Sequence, residues 1–296
     1  MKRKVLLGAL ALLLPLPGLV LACTDPGAPE GEDPNGPPAA VSPLQFLPEE
    51  LARREQWEKF LETAEIVGST QMIGEESVTS PWVLTLRLGD ATHRGLWKNA
   101  QGRMGGYWEG WTYEIAAYRL DKYLGVGLVP PTVERRFRGD RGSLQYWIDD
   151  CMSLGDRDAK GIKMPPAKVF CWNRATYLQR LFDNLIANED RHKNQVLITP
   201  DWRMVLIDHS RSFRTAGKFV KSLLYSAKNA EGPMLMSELP RAVVDKVKAL
   251  DFAAIRSVVG PYLTDEEIRA VLIRRDLILA EIDRLVKVNG EKKVFY

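Results

Sequence analysis

Residues 178–195 constrain the chain more than any other stretch. Leu178, Leu181, Phe182, Leu185 and Ile186 recur at i, i+3, i+4, i+7 and i+8, the spacing of one buried helix face. That face runs into NEDRHKNQ, eight consecutive polar or charged residues at 188–195. Two short apolar strands follow, 196–198 and 204–207, joined by the turn sequence Thr199-Pro200-Asp201-Trp202, and Asp208 comes directly after the second. The hairpin brings Asp190 and Asp208 to one end of a cleft, so NEDRHKNQ reads as a catalytic loop.

The chain N-terminal to this stretch is strand-rich. Residues 48–64 have helical spacing, with Leu51, Trp57, Phe60 and Leu61 on one face. Strand-like runs follow at 65–72, 82–88 and 92–97, with Gly89-Asp90 as a hairpin turn. A glycine-rich loop at 102–106 leads into a helix at 112–124, whose apolar stripe is Tyr113, Ala116, Ala117, Leu120 and Leu124 and whose stop signal is Gly125. Strands at 132–137 and 144–148 complete a small α+β lobe. The C-terminal part is mostly helical, with helices near 237–249 and 264–287, and Thr264 and Glu267 form a capping box for the last. The fold class expected is α+β and bilobal, with a β-rich lobe over 45–150 and a larger helical lobe over 151–296.

Moving a phosphoryl group from a nucleotide takes a backbone loop over the phosphates, a fixed cation, carboxylates for a divalent metal and a group that orients the nucleophile. Each has a candidate, in consistent chain order. Ile73-Gly74-Glu75-Glu76-Ser77 joins the first two strands and can offer N–H groups, with Gly74 and Ser77 as nucleotide-binding candidates. Lys98 ends the third strand, and Glu114, sixteen positions on, is the acid placed to fix it. Asp190, just past the buried helix, can orient a hydroxyl or take its proton. Asp208 can ligate Mg²⁺ or Mn²⁺ through oxygen.

With these residues the chain resembles an atypical kinase of the phosphatidylinositol 3- and 4-kinase-like group, and also HipA-type bacterial kinases and secretory kinases of the four-jointed type. The likeness is carried by LQRLFDNLIANEDRH (178–192), VLIDHSRSF (205–213), YEIAAYRLDKYLGVGLVPPTV (113–133) and IGEESVTSPWVLTLRLGDATHRGLWK (73–98), over about residues 60–288. It implies that Lys98 contacts ATP phosphates and pairs with Glu114, that Asp190 is the catalytic aspartate and Asp208 the metal aspartate, and that Gln145 and Trp147 lie in a hinge offering backbone groups to adenine. The family pattern DRHxxN carries a metal-binding Asn five positions after the Asp. Here that position is Gln195, with Asn194 one earlier, and either amide oxygen is a candidate ligand. The activity implied is metal-dependent transfer of the γ-phosphoryl of ATP to a hydroxyl acceptor. The alternatives are a pseudokinase, acting as a membrane-tethered module that binds nucleotide or a partner, and a nucleotidyl transferase.

Net charge is only +3 over 296 residues, with acids and bases interspersed, so bulk electrostatic binding to nucleic acid is not expected. The N-terminus is distinctive. Lys2, Arg3 and Lys4 precede an uncharged apolar run, residues 5–22, which contains Pro15 and Pro17 and ends in Val20-Leu21-Ala22-Cys23. A run of that length with two prolines is marginal for crossing about 30 Å of hydrocarbon. It resembles instead a lipoprotein signal over 1–22, cleaved to leave a lipid-modified Cys23 and then a Pro/Gly-rich disordered tether over 23–44. The chain is therefore expected to be exported and anchored in a membrane by lipid, on the periplasmic or cell-surface side, where Cys151 and Cys171 are candidates for a disulfide. Replacing Cys23 by Ser is expected to abolish lipid labelling and release the protein from the membrane fraction; unchanged labelling and fractionation would refute the anchor.

Overall fold

The computed structural model describes residues 48–73, 79–226 and 236–296. The signal, the tether, Cys23, Gly74 and Ser77 lie outside them. In chain order the first elements are α1 (Pro48–Ala52), α2 (Arg54–Thr63), β1 (Glu65–Gln71), β2 (Trp82–Leu88), β3 (Ala91–Lys98), the hairpin β4 (Gln101–Met104) and β5 (Tyr107–Gly110), α3 (Trp111–Leu124), β6 (Thr132–Phe137) and β7 (Asp140–Tyr146). Five of the strands form an antiparallel sheet in the order β1-β2-β3-β7-β6. Leu88 pairs with Ala91, so Gly89-Asp90 is a two-residue turn, and Gly89 supplies the positive φ of 60° that such a turn needs at its first position. The expected glycine-rich loop at 102–106 is instead largely the β4–β5 hairpin, turning at Gly105-Gly106.

The sheet's own core is small: Leu61 and Ala64 from α2 and its end, with Leu84, Leu86, Trp97, Val133 and Leu144. Arg135 reaches from β6 to the last carbonyls of α2, donating to Leu61 O at 3.0 Å and Ala64 O at 2.6 Å. A cation there complements the negative end of a helix that has no basic residue in its last turn.

The remaining elements are β8 (Met152–Ser153), α4 (Leu154–Ala159), α5 (Val169–Ile186), β9 (Val196–Ile198), β10 (Met204–Leu206), α6 (Gly217–Lys221), α7 (Arg241–Lys248), α8 (Phe252–Val259), α9 (Asp265–Asn289) and α10 (Glu291–Val294). The β9–β10 hairpin forms as expected, and β8 adds a third strand to it. Thr264 and Glu267 make the capping box of α9. Cys151 is a free thiol whose Sγ donates to Ile148 O at 3.2 Å, so it is not bonded to Cys171. Among the described residues no helix is long and apolar enough to cross a membrane.

The main departure from expectation is α3. Its stripe of Tyr113, Ala116, Ala117, Leu120 and Leu124 is buried in the large core with Leu178, Leu181, Phe182, Leu185 and Ile186 of α5, not in the small core of the sheet. The reason is continuity: after the left-handed Gly125 the chain adds Val126, Leu128 and Val129 to the same cluster. Asp121, fully buried, fixes that loop by accepting from Leu128 N at 2.7 Å and Val129 N at 3.1 Å, and Arg54 donates to its other oxygen. Leu128 O in turn accepts from Leu206 N of β10 at 2.9 Å, which ties the loop to the strand preceding Asp208.

Gly142 permits the close approach of β7 to β3. A Cβ there would fall on the carbonyl oxygen of Lys98 and lie 2.7 Å from the Trp97 ring. Gly142→Ala is expected to cost about 1–3 kcal/mol, the range for overpacking a filled site. Urea unfolding should show this as a lowered midpoint with an unchanged slope.

Candidate active site

The site starts where α5 stops. Ala187 takes a left-handed conformation, φ 49°, and Asn188 N donates back to Asp183 O at 3.0 Å, which turns the chain out of the helix. Asn188 is buried and its Oδ1 accepts from Asp190 N at 3.2 Å, so the loop is braced at its first turn. The three residues at the centre of NEDRHKNQ then take different directions. His192 is exposed and caps the 3₁₀ turn Lys193–Gln195, accepting from Asn194 N through Nδ1. Asp190 is partly open. Arg191 points inward.

Arg191 organises the loop. Its Nε and Nη2 donate to the two oxygens of Asp183, at 3.0 and 3.1 Å, and Asp183 is fully buried on α5. Its Nη1 donates to Gln195 O at 3.0 Å and to Ile207 O at 2.7 Å, and Nη2 also meets His209 Nε2 at 3.0 Å. All five guanidinium N–H groups have acceptors, a set that the single ammonium of a lysine does not provide. Since an arginine only donates, His209 Nε2 is the acceptor, and the ring proton sits on Nδ1, 3.6 Å from Glu114 Oε2. Sequence reading missed Asp183, His209 and the role of Arg191. The available signal was an aspartate on the buried face of a helix eight residues before an arginine, since a buried carboxylate needs a partner.

Lys98 enters from the end of β3. It is nearly buried, and its ammonium donates to Glu114 Oε1 at 2.7 Å and Asp208 Oδ1 at 2.8 Å. Glu114 Oε2 accepts from His209 N at 2.9 Å, so the carboxylate on α3 links the lysine to the residue after Asp208. Burial alone would favour the neutral amine of Lys98, but Asp208 and Glu114 reverse this and raise its pKa above the ordinary value. Burial likewise opposes the charge on Glu114 and Asp208, yet Lys98 outweighs it and holds both below the usual carboxylate range, with hydrogen bonds from His209 N to Glu114 and from the Ser210 hydroxyl to Asp208. Asp208 itself has φ 59°, a conformation rare outside glycine and found at sites where the surroundings fix the backbone. Its side chain is 37% exposed, and among the described residues its Oδ2 takes no hydrogen bond.

The other expected residues divide. Gln195 is buried beside Asp190: its Nε2 donates to Asp190 Oδ2 at 3.2 Å, and among the described residues its Oε1 has no partner. Asn194 is exposed on the other side of the turn, against Gly155 of α4. Gln145 lies in the ladder between β3 and β6 and donates to Thr132 Oγ1 at 3.0 Å. Trp147 N donates to Arg94 O at 3.2 Å and Trp147 O accepts from His93 Nε2 at 2.9 Å, so the backbone groups expected to face adenine are engaged within the small lobe. The chain pairs β7 with β3 further than the hinge expectation assumed.

As donors for a cation the site offers hard oxygens: Asp208 Oδ2, the orphaned Gln195 Oε1 and Asp190. Among the described residues no group of three or more His, Cys, Asp or Glu side chains gathers to hold a metal. A Mg²⁺-type ion held by one or two carboxylates, with its remaining positions on phosphate and water, suits such a set.

Two solved structures share this architecture. One is the structure of hydra Fam20 with sugar, at 14% sequence identity and a TM-score of 0.59, covering 83% of this chain and 92% of that one. The other is the Golgi casein kinase, at 14% identity and a TM-score of 0.57, covering 82% and 78%. This is a kinase-like fold. At that identity the likeness concerns the fold alone. No family model and no curated protein matches the sequence. Within the kinase-like fold, Lys98 and Glu114 come from the sheet and α3, and Asp190 and Asp208 flank the β9–β10 hairpin.

Asp183→Asn leaves the Arg191 guanidinium buried without its counterion. It is expected to lower unfolding free energy by about 3–5 kcal/mol, the range for removing one partner of a buried pair. Chemical denaturation of the two proteins side by side measures this.

Proposed function

We propose that the protein is a metal-dependent phosphotransferase that moves the γ-phosphoryl group of ATP to a hydroxyl acceptor. The observation that carries the reading is the convergence of Lys98, Glu114 and Asp208, at 2.7 and 2.8 Å, with Asp190 tied by Arg211 to the segment that follows Asp208. A fold kept only as a scaffold has no physical need to bury a lysine between two carboxylates beside a half-open aspartate. The kinase-like neighbours support the same reading at the level of fold.

In this reading Lys98 presents a permanent positive charge to the nucleotide phosphates, and Glu114 keeps its ammonium in place. Asp208, through Oδ2, and Gln195, through Oε1, are the ligands assigned to Mg²⁺ or Mn²⁺; Asn194 is not among them, since it faces α4. When bound, the metal supplies neutralisation of phosphate charge. Asp190 orients the acceptor hydroxyl and takes its proton as the oxygen bonds to phosphorus and the bond to the ADP oxygen breaks. Gly74 and Ser77 remain candidates for the loop over the phosphates. Positioning and electrostatics are most of what such a transfer asks of a protein, because its transition state is loose. The lipid anchor at Cys23 would hold this site at an exported membrane face.

The test is the full-length protein with Mg²⁺ or Mn²⁺ and ATP labelled at either the α or the γ position. Transfer or release of the γ label is expected, and Asp208→Ala should abolish it. Nucleotide binding with no turnover would identify a pseudokinase, and incorporation of the α label without the γ label would identify nucleotidyl transfer.

A further inference from the structure

Arg211 stands three residues beyond Asp208, and its guanidinium reaches back to the catalytic loop. Nη1 donates to Asp190 Oδ1 at 3.1 Å, Nε donates to Glu109 Oε1 at 2.6 Å, and the guanidinium lies 4.4 Å from the centre of the Tyr107 ring. The arginine side chain is 14% exposed and that of Glu109 only 2%. This is not a loose surface pair of the kind worth little. Glu109 belongs to β5, and β5 is fastened to the segment after Asp208 twice more, by Gly110 N donating to Ser210 O at 2.9 Å and by Arg214 Nη2 donating to Trp108 O at 2.8 Å. Arg211 therefore sits between an anchored carboxylate and a reactive one.

The consequence for Asp190 is geometric. Its Oδ2 accepts from Gln195 and its Oδ1 from Arg211, so both oxygens are held and the carboxylate plane is fixed. The two bonds of Arg211 leave from different nitrogens of one rigid plane, so turning the arginine to keep one partner would lose the other. Gln195 reports the position of the β9 end of the loop, and Arg211 reports that of the β4–β5 hairpin.

We propose that Arg211 is a positioning residue for phosphoryl transfer: anchored on Glu109, it sets the orientation of Asp190 toward the acceptor hydroxyl and makes the β4–β5 hairpin part of the catalytic apparatus. The assignment rests on the phosphotransferase reading. It differs from a direct role on the phosphate, because Arg211 acts through Asp190. A misplacement of about 1 Å can cost roughly 100-fold in rate.

Release of the γ label from ATP with Mn²⁺ tests this in the full-length protein, measured in single turnover with enzyme in excess. Arg211→Ala is expected to lower the rate about 100-fold with nucleotide affinity unchanged, Arg211→Lys to recover part of it, and Glu109→Gln to fall between. In an Asp190→Asn background, Arg211→Ala should add no further loss, the signature of two residues acting as a unit. An equal loss in both backgrounds, an effect on affinity alone, or no effect would overturn the assignment while leaving the phosphotransferase reading intact. Absence of turnover in the unaltered protein would overturn both. If Arg211→Ala does not fold, Arg211→Lys and Glu109→Gln carry the same comparison.

Discussion

The ion pair between Asp183 and Arg191 is the constraint on which the site depends. Neither side chain has appreciable access to water, at 0% and 3% exposure, so removing either would leave a buried group without its partner. The aspartate is set by the apolar face of α5, and the arginine then fixes the loop carbonyl of Gln195, the carbonyl of Ile207 and the ring of His209. His209 continues the connection through its backbone N–H to Glu114, and Glu114 continues it to Lys98. One run of polar contacts thus joins the middle of the helical lobe to the end of the sheet's central strand, and the two candidate reactive carboxylates are bonded to its members. Buried networks of this kind hold a single geometry only when every member is satisfied. The donors of Arg191 all are, whereas among the described residues His209 Nδ1 and Gln195 Oε1 are without hydrogen-bond partners, the second of them beside Asp190.

The lobes are less separate than the words suggest. The small core under the sheet contains few side chains, and the helix that completes the N-terminal half contributes its apolar stripe to the large core. Leu120 and Leu124 are each essentially inaccessible, and burial of a leucine is worth roughly 1.5–3 kcal/mol. Asp121 adds two backbone N–H groups and an arginine to the same joint. Glu114 is thereby held by the larger lobe while the lysine it meets belongs to the sheet.

Much of this was legible in the residues. The i, i+3, i+4 pattern of 178–186, the turn at 199–202 and the capping box at 264–267 are local signals, and the corresponding elements form where those signals lie. Lys98, Glu114 and Asp208 were each readable as candidates from chain order, and the structure brings the three within hydrogen-bonding distance. What was not legible depends on contacts distant in sequence. Nothing local in 112–124 says which of two cores its stripe will enter. Nothing in Gln195-Val196 says that the glutamine, not Asn194, turns toward Asp190; the direction follows from the bonds Arg191 and Ile207 make to Gln195 O. The backbone of Trp147 was expected to face adenine because the resemblance carries a hinge over to that position, while its pairing with Arg94 and His93 is a matter of contacts distant in sequence. Arg211 and Glu109 are over a hundred residues apart, beyond the reach of any spacing rule.

The burial of α3 bears on how such a molecule can be governed. A helix free to swing would let the lysine and its glutamate part and rejoin, giving the fold an idle posture and a working one. This helix is sunk in the larger lobe and held at both its ends, by Gly110 to Ser210 and by Asp121 to the following loop. Separating Lys98 from Glu114 would mean breaking those ties and uncovering the apolar stripe of α3, so the fold favours the paired arrangement.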